Sequence, residues 1–583
     1  MNESMREPEY GSDIVVDLMK ALGIEYAAFN PGATFRGIHD SIVNYGGNRC
    51  PEVIECCHEE VSVAIAHGYA KATGKPMAAI THNIVGLQHA TMAIFNAWCD
   101  RAPIIVMGGT GPMDTSLRRP WIDWVHTALV QGNLVRDYVK WDDQPYSAAA
   151  LADSLIRGYR IAVTEPCGPV YLCFDSAIQE RRLSEPVPMP DVSRYAPAPP
   201  LPPNPDALRK AADLLVKAAS PVILADFVGR NPRAVESLVD LAETLGAPVL
   251  DRGGRYNFPP NHPLDATCAE PETLAEADVV LALDVPDLYG ALGRTDKATR
   301  SFSSYLKQDA RIIHVSLDEL VTRSWSSDYQ KLQPVDVPII ADTGLAIEEL
   351  VRACRQQGTD TEMVRQRRRR LAGQHAARRA GARSQASSGD GTAIPQGALV
   401  VQVGQAIEHE DWVLTHDTWG QWARRLWDWE HPQQYLGRCN GAGLGYGAGA
   451  SVGAALAYRN SDKLVVSLQS DGDFLFTPSA LWTAAHHRLP LLIVMLNNRT
   501  YYNSEEHQAE VARTRGRDVR RAWIGTRLTD PAIDFAQMAR SYGLHGEGPV
   551  ERIEDLGPAL ERAVRVVREQ KKAALVDVVV QGR

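Results

Sequence analysis

The chain has 583 residues, 45% of them hydrophobic and 23% charged, and a formal net charge of −10. A length of this order predicts three or four domains with substantial cores, and the acidic balance argues against nonspecific nucleic-acid binding. The nine cysteines show no paired metal spacing, residues 1–7 hold no apolar export core, and no run approaches the ~18 apolar residues of a membrane span. Reduced thiols in a cytoplasm, with no membrane partner, are the expectation.

The first block, residues 1–185, alternates helices with short apolar strands such as 78–81 and 104–107. Asn30-Pro31-Gly32-Ala33-Thr34 reads as a loop between such elements. Cys57-His58-Glu59-Glu60 opens an amphipathic helix running through Gly68-Tyr69-Ala70. An acid in the first turn suits the helix dipole, and Glu60 fits that plain role better than Glu59; His58 reads as structural. Thr81-His82-Asn83-Ile84-Val85-Gly86 follows a strand, with His82 four residues before the glycine. Residues 186–205 form a stiff, proline-rich connector. The second block, 206–355, repeats strand–helix units with strands near 221–225, 247–250, 279–283 and 312–315, the pattern of a parallel doubly wound sheet. Arg365 to Arg370 reads as a solvated connector helix rather than a polyanion site, and Ser384 to Gly391 as flexible linker.

The third block, 393–583, carries the most informative stretch. Ser470-Asp471-Gly472-Asp473 is followed, 27 positions after Asp471, by Asn498. A turn, a helix-like run at 478–485 and an apolar strand at 491–496 lie between them. Asp471 and Asn498 therefore fall at the carboxyl ends of two strands, which in an open parallel sheet face one crevice. One carboxylate, one amide oxygen and a nearby carbonyl suit Mg²⁺, which takes its other ligands from phosphate and water. Two ordinary turns without a metal would give the same residues. Upstream, Leu436 to Ala457 is glycine-rich and leads into a helix, either a shaped turn or a place where backbones approach closely. His486 and His487 lie away from the ligand end and read as structural.

Taken together, these segments resemble the thiamine diphosphate (ThDP) enzymes of the decarboxylase and acetolactate synthase group over nearly the whole chain. The resemblance implies an α/β fold of three doubly wound parallel-sheet domains: pyrimidine-binding (1–185), central (206–355) and diphosphate-binding (393–583). It implies ThDP and Mg²⁺ as cofactors, with Asp471, Asn498 and the Thr500 carbonyl as metal ligands. Gly472 and Asp473 would offer backbone N–H groups to the diphosphate. Leu444 would prop the cofactor in its bent form, and Thr418 and Trp419 match positions that touch the diphosphate. Glu59, nine residues before the Gly68-Tyr69-Ala70 match, would bond N1′ of the aminopyrimidine and so activate the cofactor. In the family the Glu and metal motifs meet across a subunit interface, which implies a homodimer or homotetramer.

The substrate is less defined. Many synthases carry Gly-Pro-Gly where Thr81 to Gly86 stands; here the loop resembles the benzoylformate decarboxylase type, with His82 placed to move protons. Ala33 departs from that type, which has Ser after the glycine, and no second histidine is visible near 286–292. Ala225 to Gly229 and Asp284 lack a flavin signature, so FAD is not expected. Arg513, Arg515, Arg517, Arg520 and Arg521 follow the metal turn, where relatives can cover the site, and read as a solvated surface helix. Decarboxylation of a 2-oxo acid, with carboligation, ranks first; a ketone is the alternative small-molecule substrate. An acetolactate-synthase-like transferase ranks second and a flavin-linked oxidase third. A non-catalytic ThDP-fold binding subunit is the reading from a different class, opposed by the joint retention of Glu59, Asp471, Asn498 and Leu444.

Overall fold

The computed structural model describes residues 7–297, 299–321, 331–389, 391, 393–417 and 422–582. Three parallel sheets organise them. The first has the spatial order 52–55, 26–29, 77–81, 104–110, 170–175, 142–143; the second 337–340, 311–316, 279–283, 221–225, 249–251; the third 412–417, 464–470, 492–497, 574–579, 545–550. Every pairing within them is parallel. A two-stranded antiparallel hairpin, 293–295 with 302–304, lies outside these sheets.

Both faces of the first sheet are buried, because successive side chains alternate sides. Ile105 and Met107 pack with Ile14, Leu18, Leu151 and Leu155 on one side. Ile104 and Val106 pack with Val61, Ile65, Leu87 and Ile94 on the other. The second core is continuous with Val452, Val465, Ile493 and Leu575 of the third sheet's domain. The first and third domains therefore share one core, while the central domain has its own.

Two helices make that junction. The first, Glu59–Thr73, begins where His58 Nδ1 accepts the Glu60 N–H at 3.2 Å and ends at Gly74, whose φ of +70° suits a glycine C-cap. The second is Tyr446–Ala457. A Cβ on Gly68 would lie 1.9 Å from the Ala450 carbonyl oxygen, and one on Gly453 2.0 Å from that of Ile65. The helices thus touch backbone to backbone, and this use of small residues accounts for part of the glycine-rich run. Beside them Asp100, fully buried, accepts from Lys71 Nζ at 2.9 Å and from the Asn440 N–H at 2.7 Å. The His67 Nε2 atom stands 3.0 Å from the same carboxylate. Despite its burial, which alone would raise it, Asp100 is held far below the usual carboxylate range by Lys71 and His67.

Two connector expectations are refined. The arginine run lies on a 26-residue helix, Thr361–Ala386, which is docked rather than free: Arg367 donates to the Ala218 and Leu245 carbonyls, and Arg370 pairs with Glu276. That helix also takes in Ser384 to Ala386, so the expected linker is shorter than its composition suggested. In the central domain, buried Asp284 stands 3.2 Å from both Arg101 Nη1 and Arg230 Nη2 and accepts from Thr343 Oγ1 at 2.5 Å. Burial raises this carboxyl, but the two arginines outweigh it and hold it low. No helix among the described residues is long and apolar enough to cross a membrane.

Candidate active site

Strand 464–470 ends at Ser470 and the chain turns at once into a single helical turn, Asp471–Phe474. The neighbouring strand, 492–497, pairs Leu496 with Ser470, which brings the Asn498 turn alongside Asp471. The Asp471 Oδ1 atom accepts the Gly472 N–H at 2.9 Å, while Oδ2 is buried with no protein partner among the described residues. Burial pushes this carboxyl up to about 6, against the lowering effect of the Gly472, Arg499 and Thr500 N–H groups. Asn498 Oδ1 accepts the Thr500 N–H at 3.0 Å, and its Nδ2 is buried with no partner among the described residues.

An unpaired buried carboxylate oxygen costs free energy unless a ligand meets it. The oxygen-rich set here, Asp471, Asn498 and the chain at Thr500, fits a hard divalent cation. It opens onto a cavity of about 740 Å³, lined among others by Leu444, Tyr446, His416, Asp473 and Thr500. Gly472 forms part of the wall, and a Cβ there would lie 2.6 Å from the Tyr501 ring. The Asp473 carboxylate faces inward, accepting the Gly445 N–H at 2.8 Å and a Gln469 amide proton, so its side chain braces the Leu444–Gly445 turn. Leu444 itself is 41% exposed at the cavity, an apolar side chain left uncovered by the chain. Thr418 and Trp419 lie outside the described residues.

A second group of functional candidates sits in the first domain. The Glu59 side chain is only 5% exposed. Its Oε1 accepts from Asn30 Nδ2 at 3.3 Å, and its Oε2 lies 3.2 Å from His89 Nδ1. Gly86 is required here, since a Cβ would come 2.9 Å from Glu59 Oε1 and 3.0 Å from the His82 Cβ. Thr34 Oγ1 accepts the Asn83 N–H at 3.2 Å and meets His82 Nδ1 at 2.9 Å, so its one proton is free for the imidazole. Burial, with His126 nearby, lowers the His82 pKa. Neither Glu59, His82 nor His89 lines the Asp471 cavity.

Several side chains emerge only in three dimensions. His126 packs edge-on to His82, ring centroids 5.6 Å apart, and is a second imidazole in a place the linear search near 286–292 missed. Ala33 lacks a hydroxyl, but Thr34, the next residue, supplies one to His82. Glu60 is no simple surface acid: burial and the nearby Asp473 raise it to about 7, and its Oε1 is 2.7 Å from where a Gly445 Cβ would be. His416 stands 3.6 Å from Asp473 Oδ2 on the cavity wall. A surface helix after the metal turn is observed at Tyr502–Thr514 with no buried residue, but of the five arginines expected on it only Arg513 lies there. Arg515 and Arg517 follow it, and Arg520 and Arg521 lie in a short 3₁₀ turn, all exposed.

The chain is also similar to known proteins. Models of the thiamine pyrophosphate enzyme N-terminal, central and C-terminal domains match residues 10–130, 208–350 and 418–578. A benzoylformate decarboxylase from Pseudomonas aeruginosa is 26% identical over 527 residues, covering 88% of this chain and 89% of the relative. Acetolactate synthase 3 of Brassica napus is 23% identical over 592 residues, covering 98% and 84%. The solved ThDP-dependent 4-hydroxybenzoylformate decarboxylase of Rhodococcus jostii RHA1 superposes with a TM-score of 0.77 at 22% identity, covering 98% of this chain and 99% of that one. With the three domain models matched in order along most of its length, the chain belongs to the thiamine pyrophosphate-dependent enzymes, in the group that holds the decarboxylases and acetolactate synthases.

Proposed function

We propose that the protein is a Mg²⁺- and ThDP-dependent lyase that cleaves or forms a carbon–carbon bond next to a carbonyl, with a 2-oxo acid as its first substrate class. The observation that carries this reading is the buried, unpaired Asp471 Oδ2 at the mouth of a cavity bordered by Leu444 and Thr500. Asp471, Asn498 and the Thr500 carbonyl would hold Mg²⁺ against the diphosphate, with Gly472 giving it room. Bound ThDP supplies an electron sink for the carbon–carbon bond change. Glu59, dry and fixed by Asn30 and His89, would exchange a proton with the aminopyrimidine N1′. His82, its pKa lowered chiefly by burial and its ring oriented by Thr34, would take and give protons near the reacting carbonyl carbon.

His82 in place of a Gly-Pro-Gly turn favours a decarboxylase, with accompanying carboligation, over a synthase. The comparable likeness to a synthase keeps acyl transfer as the second reading. Because the Glu and metal motifs of the family this chain resembles meet across a subunit interface, we read the working unit as a homodimer or a dimer of dimers. Trp121, Trp124, Val125 and Leu129, each more than half exposed in one chain, support an interface in the first domain. The test is a panel of 2-oxo acids with ThDP and Mg²⁺, scored for CO₂ and for aldehyde or acyloin. Decarboxylated aldehyde from an aromatic or branched 2-oxo acid is the expected result; acetolactate from pyruvate alone would favour the synthase.

A further inference from the structure

A carboxyl that activates a cofactor has to gain and lose a proton, yet Glu59 is almost shut off from water, at 5% exposure. Its Oε1 partner, the Asn30 amide, carries no exchangeable charge. Its Oε2 partner is His89 Nδ1 at 3.2 Å, and the His89 side chain is 58% exposed. His89 lies one turn into helix Ile84–Cys99, on the side that faces the start of helix Glu59–Thr73. The His58 ring stacks on it, centroids 4.9 Å apart and planes 19° apart, and His58 is itself pinned because Nδ1 accepts the Glu60 N–H. The imidazole plane of His89 is thereby fixed with one nitrogen on the carboxylate and the ring open to solvent.

We propose that His89 is a positioning residue for Glu59 and its proton route to water, a role that rests on the reading of Glu59 as the activating acid. When Glu59 holds a proton, its O–H bond breaks and the proton passes to the His89 Nδ1 lone pair. The imidazolium then releases the Nε2 proton to water, leaving a carboxylate and a neutral ring. The reverse sequence recharges the acid, and no redox partner is needed. The titratable groups facing this pair are His58 and Glu60 from the start of the first helix, and His82 from the loop before the second.

A metal ion is the rival occupant, because ligand atoms of His58, Glu59 and His89 lie within 4.8 Å of one another. The stacking argues against it. Ring-nitrogen lone pairs lie in the ring plane, so two nearly parallel imidazoles direct them side by side rather than to one point, and the capping bond already occupies His58 Nδ1.

The experiment compares wild type, His89→Ala, His89→Asn and Glu59→Gln, each loaded with ThDP and Mg²⁺. C2–H/D exchange is followed by rapid quench and proton NMR, with ThDP affinity measured by calorimetry. His89→Ala is expected to slow exchange about 10²-fold, the lower end of acid–base effects, without changing ThDP affinity, and added imidazole to restore part of the rate. His89→Asn keeps a hydrogen-bonding side chain but carries no proton, so it is expected to be as slow as alanine. Wild-type exchange in both His89 variants with slow exchange in Glu59→Gln overturns the relay but leaves the Glu59 reading intact. Wild-type exchange in Glu59→Gln overturns both, and a His89→Ala rate that added imidazole leaves unmoved overturns the proton route.

Discussion

The two half-sites are built on opposite principles. Around Asp471 the candidate ligands come from adjacent strand ends of one sheet, and backbone N–H groups fix them locally: that of Gly472 on Asp471, that of Arg499 on Asn497 and that of Thr500 on Asn498. Around Glu59 the contacts are side chain to side chain, from Asn30 and His89 in two separate segments, with Gly86 packed close beside it. A backbone cradle is rigid and tolerates surface change; a side-chain cluster can move protons but depends on each member. Binding should therefore fail when the first is broken and chemistry when the second is.

The largest effect is expected at the cradle. Asp471→Ala removes the charged ligand and should abolish Mg²⁺-dependent ThDP binding by calorimetry while far-ultraviolet dichroism stays native. Retained affinity would move the metal elsewhere. In the other half-site, Glu59→Gln keeps shape but loses the ionisable proton, so ThDP should bind while C2–H exchange is mostly lost. Near-normal exchange would shift suspicion to Glu60. His82→Ala should lower turnover by about 10²–10⁴, the usual scale for acid–base groups, with little change in ThDP affinity. An ordinary turnover number would make His82 structural and remove the main reason for ranking decarboxylase over synthase.

How much of this the sequence revealed follows the same division. The cradle was legible because its residues are close in sequence and periodic: strand, turn, helix, strand, turn. The sheet found at 464–470 and 492–497 differs from the reading of 491–496 by one residue. The side-chain cluster was legible only where a motif named a residue, as for Glu59 and His82. His89 and His126 come from segments with no local signature, and only folding brings them to Glu59 and His82. The available hint for His89 was its position three residues beyond the Thr81 to Gly86 loop, on helix Ile84–Cys99. The glycine run at 436–457 carried two messages: Gly445, at φ +96°, shapes the Leu444 turn, while Gly449 and Gly453 serve helix contact.

Smaller effects concern the helix junction that holds the half-sites in register. Gly453→Ala places a methyl 2.0 Å from the Ile65 carbonyl oxygen, and denaturant unfolding should show a loss of about 1–3 kcal/mol or more from overpacking. An unchanged midpoint would mean that the helices separate freely. The pH response is expected to be weaker. Burial lowers His67 to about 4, with Asp100 opposing, against about 6.5 for an exposed histidine. A depressed folded value means the unfolded chain binds more protons in this window, so stability is present above about 6.5 and lost as pH falls towards 4. His67→Gln should flatten the Tm profile across that interval; an unchanged slope would assign the acid response to other groups.

The proposed pairing of Glu59 from one subunit with the cradle of another is tested most directly by complementation. Glu59→Gln and Asp471→Ala chains, each inactive alone, are co-expressed with different tags and the mixed dimer is purified through both. If Glu59 of one chain serves the cradle of the other, one site in the mixed dimer pairs two intact halves, and activity with the best 2-oxo acid returns together with ThDP binding. A mixed dimer that binds ThDP but stays inactive, although a doubly tagged wild-type dimer is active, would contradict this account and place both halves of each site within one chain.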